Sequence, residues 1–133
     1  MARAMRELAF LAPEFFVSDV GATVRFYTQV LDFEVVRLET QGSVPVFAVL
    51  GLGDVVVLID RQESIGGAPP TPRGLAVNIR VMVPDVDAVY DRARAAGATI
   101  SRAIGDRDYG LRDFIVRDPD GFRIRFATPL GFF

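Results

Sequence analysis

The chain offers few side chains for proton transfer near neutral pH: it contains no His and no Cys, and all fifteen of its cations are Arg. Without imidazole, thiol or amine, acid–base or nucleophilic work falls to seventeen carboxyl groups and three Tyr. A carboxyl does such work only where an apolar setting lifts its pKa toward neutrality. The guanidinium groups have a different use, since each is a permanent charge and a forked donor for oxyanions. The absence of Cys also excludes a disulfide framework, a zinc finger and a thiolate nucleophile, and fits a reducing compartment. What remains is carboxylate chemistry, or binding through Arg, carboxylate and aromatic rings.

Several carboxylates have structural duties. Ser18-Asp19 and Pro84-Asp85 each precede a run with helical periodicity, where an Asp oxygen caps the first backbone N–H groups. Asp118-Pro-Asp-Gly121 is a turn between two strands and lacks the ligand spacing of a calcium loop.

The elements around these residues form a repeated order. Residues 9–17 read as a strand, with Pro13 marking an edge or a bulge. Val20, Val24, Tyr27 and Leu31 follow at helical spacing. Strands are then expected over 33–39, 44–50 and 55–60, with a hairpin turn at Gly51-Leu-Gly-Asp54. The Gly- and Pro-rich stretch 64–73 is a loop. Beyond it come a strand over 75–83, a helix over 86–96 ended by Gly97 in a left-handed cap, and strands near 99–103, 113–117 and 123–127. Val17-x-Asp-Val-x-Ala22 matches Val83-x-Asp-Val-x-Ala88, which makes the pattern a duplicated βαβββ module. The expected fold is therefore α+β: a single domain over 1–133, with modules at 8–62 and 74–128 joined by a loop over 63–73. A four-stranded sheet with one helix covers only one of its faces. Two such modules can turn their open faces into an incomplete barrel around a cavity.

At 133 residues, half of them apolar and eleven of them Phe, the material for a core is present. Such a chain buries roughly two-thirds of its unfolded surface. No signal segment or membrane helix is evident, so a cytoplasmic protein is expected. Residues 1–70 hold five Arg against nine acids and residues 71–133 ten Arg against eight. Neither half has a dense basic run, so neither nucleic acid nor membrane is an expected partner.

The string from Val17 to Val36, with Asp19, Phe26-Tyr27 and Leu31-Asp-Phe33, resembles the opening of the glyoxalase, bleomycin-resistance and extradiol-dioxygenase (vicinal-oxygen-chelate) superfamily. Asp32 stands where that pattern has Gly. The segment from Tyr109 to Gly121 resembles the family's closing hairpin, and the likeness extends over residues 8–128. Metal-binding members take four ligands, and the resemblance places those positions at Ala12, Leu58, Asn78 and Arg125. Ala and Leu cannot coordinate, Asn alone is a feeble ligand, and Arg brings a like charge, so no metal and no other cofactor is expected. Stray carboxylates such as Glu14 and Asp60 are the remaining oxygen donors.

Strand alternation from those positions gives the expected lining. Glu14 and Phe16 follow from Ala12, and Val56 and Asp60 from Leu58. Ala76, Arg80 and Met82 follow from Asn78, and Arg123 and Ala127 from Arg125. Phe47, Tyr109 and Phe114 are aromatic additions. Two readings stand for the charges, because Glu14 either neutralises Arg80 or Arg125 or contacts a ligand. Phe47 and Phe114 likewise serve as core or as stacking platforms. The resemblance implies a metal-free small-molecule binder of the bleomycin-resistance type, sequestering an aromatic or amphipathic compound as a homodimer. A metal-independent lyase or isomerase using Glu14 or Asp60 is the alternative, and a ligand-free interaction domain is a third.

Overall fold

The computed structural model describes residues 11–70, 72–74 and 76–131. Its first half runs β1 (Glu14–Val17), α1 (Val20–Arg25), β2 (Glu34–Gln41), β3 (Val44–Leu52) and β4 (Val55–Arg61). The second half repeats this order with β5 (Ile79–Met82), α2 (Val86–Ala95), β6 (Thr99–Asp106), β7 (Leu111–Arg117) and β8 (Arg123–Pro129). Two four-stranded sheets result, ordered β1-β4-β3-β2 and β5-β8-β7-β6, and they do not close into a barrel. In each sheet the first strand pairs in parallel with the last, and the other pairings are antiparallel.

The duplication is visible in the caps. Asp19 accepts the Ala22 N–H at 3.0 Å and Asp85 the Ala88 N–H at 3.2 Å, so the matched Asp residues start equivalent helices. Each helix covers one face of its sheet. Val17, Val20, Tyr27, Leu31, Ala48, Leu50, Val57 and Ile59 fill the first interface, and Val81, Val86, Ala93, Phe114, Val116, Ile124 and Phe126 the second. Alternation then leaves Val56, Leu58 and Asp60 on the opposite, uncovered face of β4.

Three departures from expectation have local causes. The first helix changes to a π-helical turn over Phe26–Val30, because Thr28 Oγ1 donates to the Val24 carbonyl at 2.8 Å and loosens the regular ladder. The strand expected from residue 75 starts only at Ile79, since Ala76 takes a left-handed φ of 65° that interrupts extended backbone. The first strand starts at Glu14, just after Pro13; residues 9 and 10 lie outside the described range. Gly53 (φ 57°) and Gly97 (φ 75°) sit where the hairpin turn and the helix end need a left-handed residue. No helix is long and apolar enough to cross a membrane among the described residues.

Candidate functional site

Each sheet has one uncovered face, and the two faces differ in charge. On the first, register aligns Phe16, Asp60, Phe47 and Glu39 in one row and Glu14, Leu58, Val49 and Arg37 in the next. Glu14 neighbours Asp60 on this face. Burial raises its pKa, and the Asp60 charge and hydrogen bond raise it further. Asp60 is already oriented, accepting the Arg61 N–H at 2.8 Å and the Ser64 hydroxyl at 3.1 Å. Arg37 pairs with Glu39 at 2.6 Å.

The second uncovered face is basic. Cross-strand register sets Arg80 opposite Arg125 and Arg117 opposite Arg123. The carboxylate on this face is Asp113, which is fully enclosed. It accepts Arg107 Nε at 2.7 Å and the Tyr109 hydroxyl at 2.7 Å, and Arg125 lies 3.9 Å away. Burial pushes its pKa up, but the bonds from Tyr109 and Arg107 and the charges of Arg107 and Arg125 outweigh that and hold it below the usual carboxylate range. Tyr109 in turn carries the Arg80 guanidinium 5.9 Å from its ring centre. A cleft of about 270 Å³ opens here, lined by Ala76, Val77, Asn78, Ile115, Arg123 and Arg125.

A second cleft, about 280 Å³, lies at the seam between the modules, bordered by Glu14, Phe15, Val77, Ile79, Phe122 and Arg123 among others. Val77 and Arg123 belong to both clefts, so the two adjoin. Phe15 stacks on Phe122 with ring centres 4.8 Å apart, which joins the modules under this cleft. The 118–121 turn supplies further ties. Tyr27 donates to Asp118 Oδ2 at 3.0 Å, and the Ser18 N–H donates to Asp120 Oδ1 at 3.1 Å. Arg73 contacts Asp120 at 3.3 Å and donates to the Phe16 carbonyl at 2.7 Å. Burial pushes the Asp118 pKa up to about 6, despite the N–H of Phe122, the Tyr27 hydroxyl and the N–H of Asp120, all of which favour its charge.

The sequence-expected residues thus fall into two groups. Glu14, Phe16, Phe47 and Asp60 share the first face. Arg80 and Arg125 share the second, with Asn78 in the cleft beside Arg125 and Tyr109 above Arg80. Phe114 is a correction. It lies on the helix-covered side, fully buried, edge-on to Tyr90 at 5.0 Å and stacked on Phe126 at 5.7 Å, so it is core and not lining. The pairing of Glu14 with Arg80 or Arg125 is corrected as well: the acid neighbours Asp60, and Arg125 lies nearest Asp113. Asp113 and Arg107 escaped the sequence reading, because no position in β7 anchored its alternation. The register shift in β6 between Arg102 and Gly105 hid the match across that hairpin.

The positions that the resemblance assigns to a metal do not fit one. Ala12 and Leu58 have no donor, and Asn78 and Arg125 share the cleft on the basic face. Among the described residues, no three His, Cys, Asp or Glu side chains converge on a point.

Comparison with known proteins agrees with this architecture. Residues 8–126 match the model of the Glyoxalase/Bleomycin resistance protein/Dioxygenase superfamily. Among curated proteins, the uncharacterized protein Rv0887c of Mycobacterium tuberculosis is 32% identical over 126 residues, covering 90% of this chain and 74% of that one. A probable lactoylglutathione lyase of Vibrio cholerae is 30% identical over 112 residues, covering 81% of each. Among solved structures, TioX from Micromonospora sp. ML1 superposes with a TM-score of 0.73 at 27% identity, covering 90% of this chain and 95% of that one. TnmS3, an antibiotic binding protein from Streptomyces sp. CB03234, gives 0.71 at 19% identity, covering 91% and 96%, a likeness of fold.

Proposed function

The chain belongs to the Glyoxalase/Bleomycin resistance protein/Dioxygenase superfamily, and from that premise we propose that it is a metal-independent binder of a small aromatic or amphipathic compound, acting by sequestration. The observation that carries this reading is the composition of the adjoining clefts. Phe15, Ile79, Phe122, Val77 and Ile115 supply apolar surface, while Asn78, Arg123 and Arg125 supply donors for orientation. Apolar burial would provide affinity and the polar groups selectivity. The fold shared with TnmS3, itself an antibiotic binding protein, supports a binding role.

One feature favours a second reading, a metal-independent lyase or isomerase. Glu14 borders the seam cleft beside Asp60, with its pKa raised by burial and by that neighbour, the direction of shift that favours a general base. The deciding experiment is a thermal-shift panel of aromatic antibiotics, thiol adducts and divalent ions, with metal analysis and product detection on the same samples. A binder at a hundred times its dissociation constant adds about 2.7 kcal/mol to stability. Stabilisation by an antibiotic without turnover supports sequestration. Turnover that Glu14→Gln abolishes establishes the second reading instead.

A further inference from the structure

Sheets do not ordinarily place like charges directly opposite one another, because such pairs weaken the sheet. Here two such pairs stand side by side on one face, Arg80 opposite Arg125 and Arg117 opposite Arg123. The neighbouring carboxylate, Asp113, is enclosed and already holds Arg107 and Tyr109. No described carboxylate lies within 4.0 Å of Arg80, Arg117 or Arg123. Arg125 adds a second sign, since its Nε is buried and has no acceptor among the described residues. A buried donor left without an acceptor costs stability until something supplies one. The Asn78 amide lines the same cleft, and Val77 and Arg123 connect it to the apolar seam cleft beside Phe122.

We infer that the ligand is an aromatic acid: its anionic group is held by Arg123, Arg125 and Asn78, and its ring lies across Val77 toward Phe122. This rests on the small-molecule reading above and narrows it to one charge class. A forked guanidinium matches the two oxygens of a carboxylate, and the bond is stronger than its neutral counterpart. An amide of the same shape offers one acceptor oxygen in place of two, turns its NH2 toward donors and leaves the opposed guanidinium groups unscreened. Carboxylates of a second copy do not remove the need. On the acidic face Glu39 is taken by Arg37, leaving Glu14 and Asp60 to meet Arg80, Arg117, Arg123 and Arg125.

The test uses 2-naphthoate, its uncharged isostere 2-naphthamide, and the cation 2-naphthylmethylammonium, titrated calorimetrically into the full chain. Naphthoate is expected to bind about tenfold or more tightly than the amide, the scale of one charge-assisted hydrogen bond. That preference should collapse in Arg125→Gln and in Arg123→Gln, the acid losing far more affinity than the amide. Arg123 is exposed, so its variant reports even where Arg125→Gln misfolds. Equal binding of acid and amide, or tighter binding of the cation, overturns the anionic class and leaves small-molecule binding standing. Silence of all three naphthyl probes while the antibiotic panel gives a shift also overturns it. Silence of probes and panel together overturns both readings.

Discussion

Asp118 is the residue whose protonation most directly touches the stability of the molecule. It is buried, it accepts the Tyr27 hydroxyl and the N–H groups of Asp120 and Phe122, and burial still lifts its pKa to about 6. In the unfolded chain an Asp titrates near 3.9. Between those values the folded state binds the proton more tightly, so stability falls as pH rises from about 4 to about 6 and stays lower above that range. The full difference is roughly 3 kcal/mol. Wild type is therefore expected to melt at a higher temperature at pH 5 than at pH 7.5. Asp118→Asn, which mimics the neutral acid and still meets Tyr27, should lose most of that slope; melting curves across pH decide the matter. An unchanged slope in the variant would show that other carboxyls control it. None of this was legible in the sequence, where Asp118 reads as a turn residue. The turn is real, with the Gly121 N–H donating to the Asp118 carbonyl at 2.9 Å, but its side chain faces a Tyr 91 residues away.

At the scale of elements, the sequence was most informative where periodicity and caps agree, as at Asp19 and Asp85, and least where one residue breaks a regular run. Asp32 illustrates both. The family pattern has Gly there, and the chain indeed turns at Asp32 with φ 67°, a left-handed conformation that strains most side chains. Its compensation is an ion pair with Arg92 at 3.5 Å between exposed groups, a contact worth little in water. Asp32→Gly should thus stabilise the protein by up to about 1 kcal/mol, and Asp32→Ala should destabilise it. Chemical denaturation of the pair gives the answer, and a Gly variant weaker than wild type would mean that the Arg92 contact matters more than backbone strain. Alternation placed Glu14, Phe16, Asp60, Arg80 and Arg123 on open faces, because each strand has two sides and the helix covers one. It misled at Phe114, since β7 offered no fixed point from which to count. Phe114 pairs with Phe126 across β7 and β8 and so shares the covered side.

For the whole molecule, the decisive feature is that the duplicated modules have diverged in charge. Glu14, Glu39 and Asp60 mark one open face, and Arg80, Arg117, Arg123 and Arg125 the other. Two copies related by a two-fold axis can set each face against its opposite, and we propose this arrangement for the homodimer expected from the family resemblance. Sedimentation equilibrium at micromolar concentration should find a dimer that weakens as salt is raised. A monomer at every salt concentration would remove that expectation. The positions expected to form one site, Leu58 in β4 and Asn78 just before β5 with Arg125 in β8, stand on different modules, as the module bounds read from the sequence imply. Within one chain the modules are joined differently from the way each is built. Among the described residues no ladder pairing runs from one sheet to the other; the contacts across the seam include the Phe15–Phe122 stack, the Tyr27–Asp118 bond and those of Asp120 with Ser18 and Arg73. A pull across that line would meet side-chain contacts and no strand ladder, so the molecule should part there like two tiles set in grout, each keeping its own weave of strands.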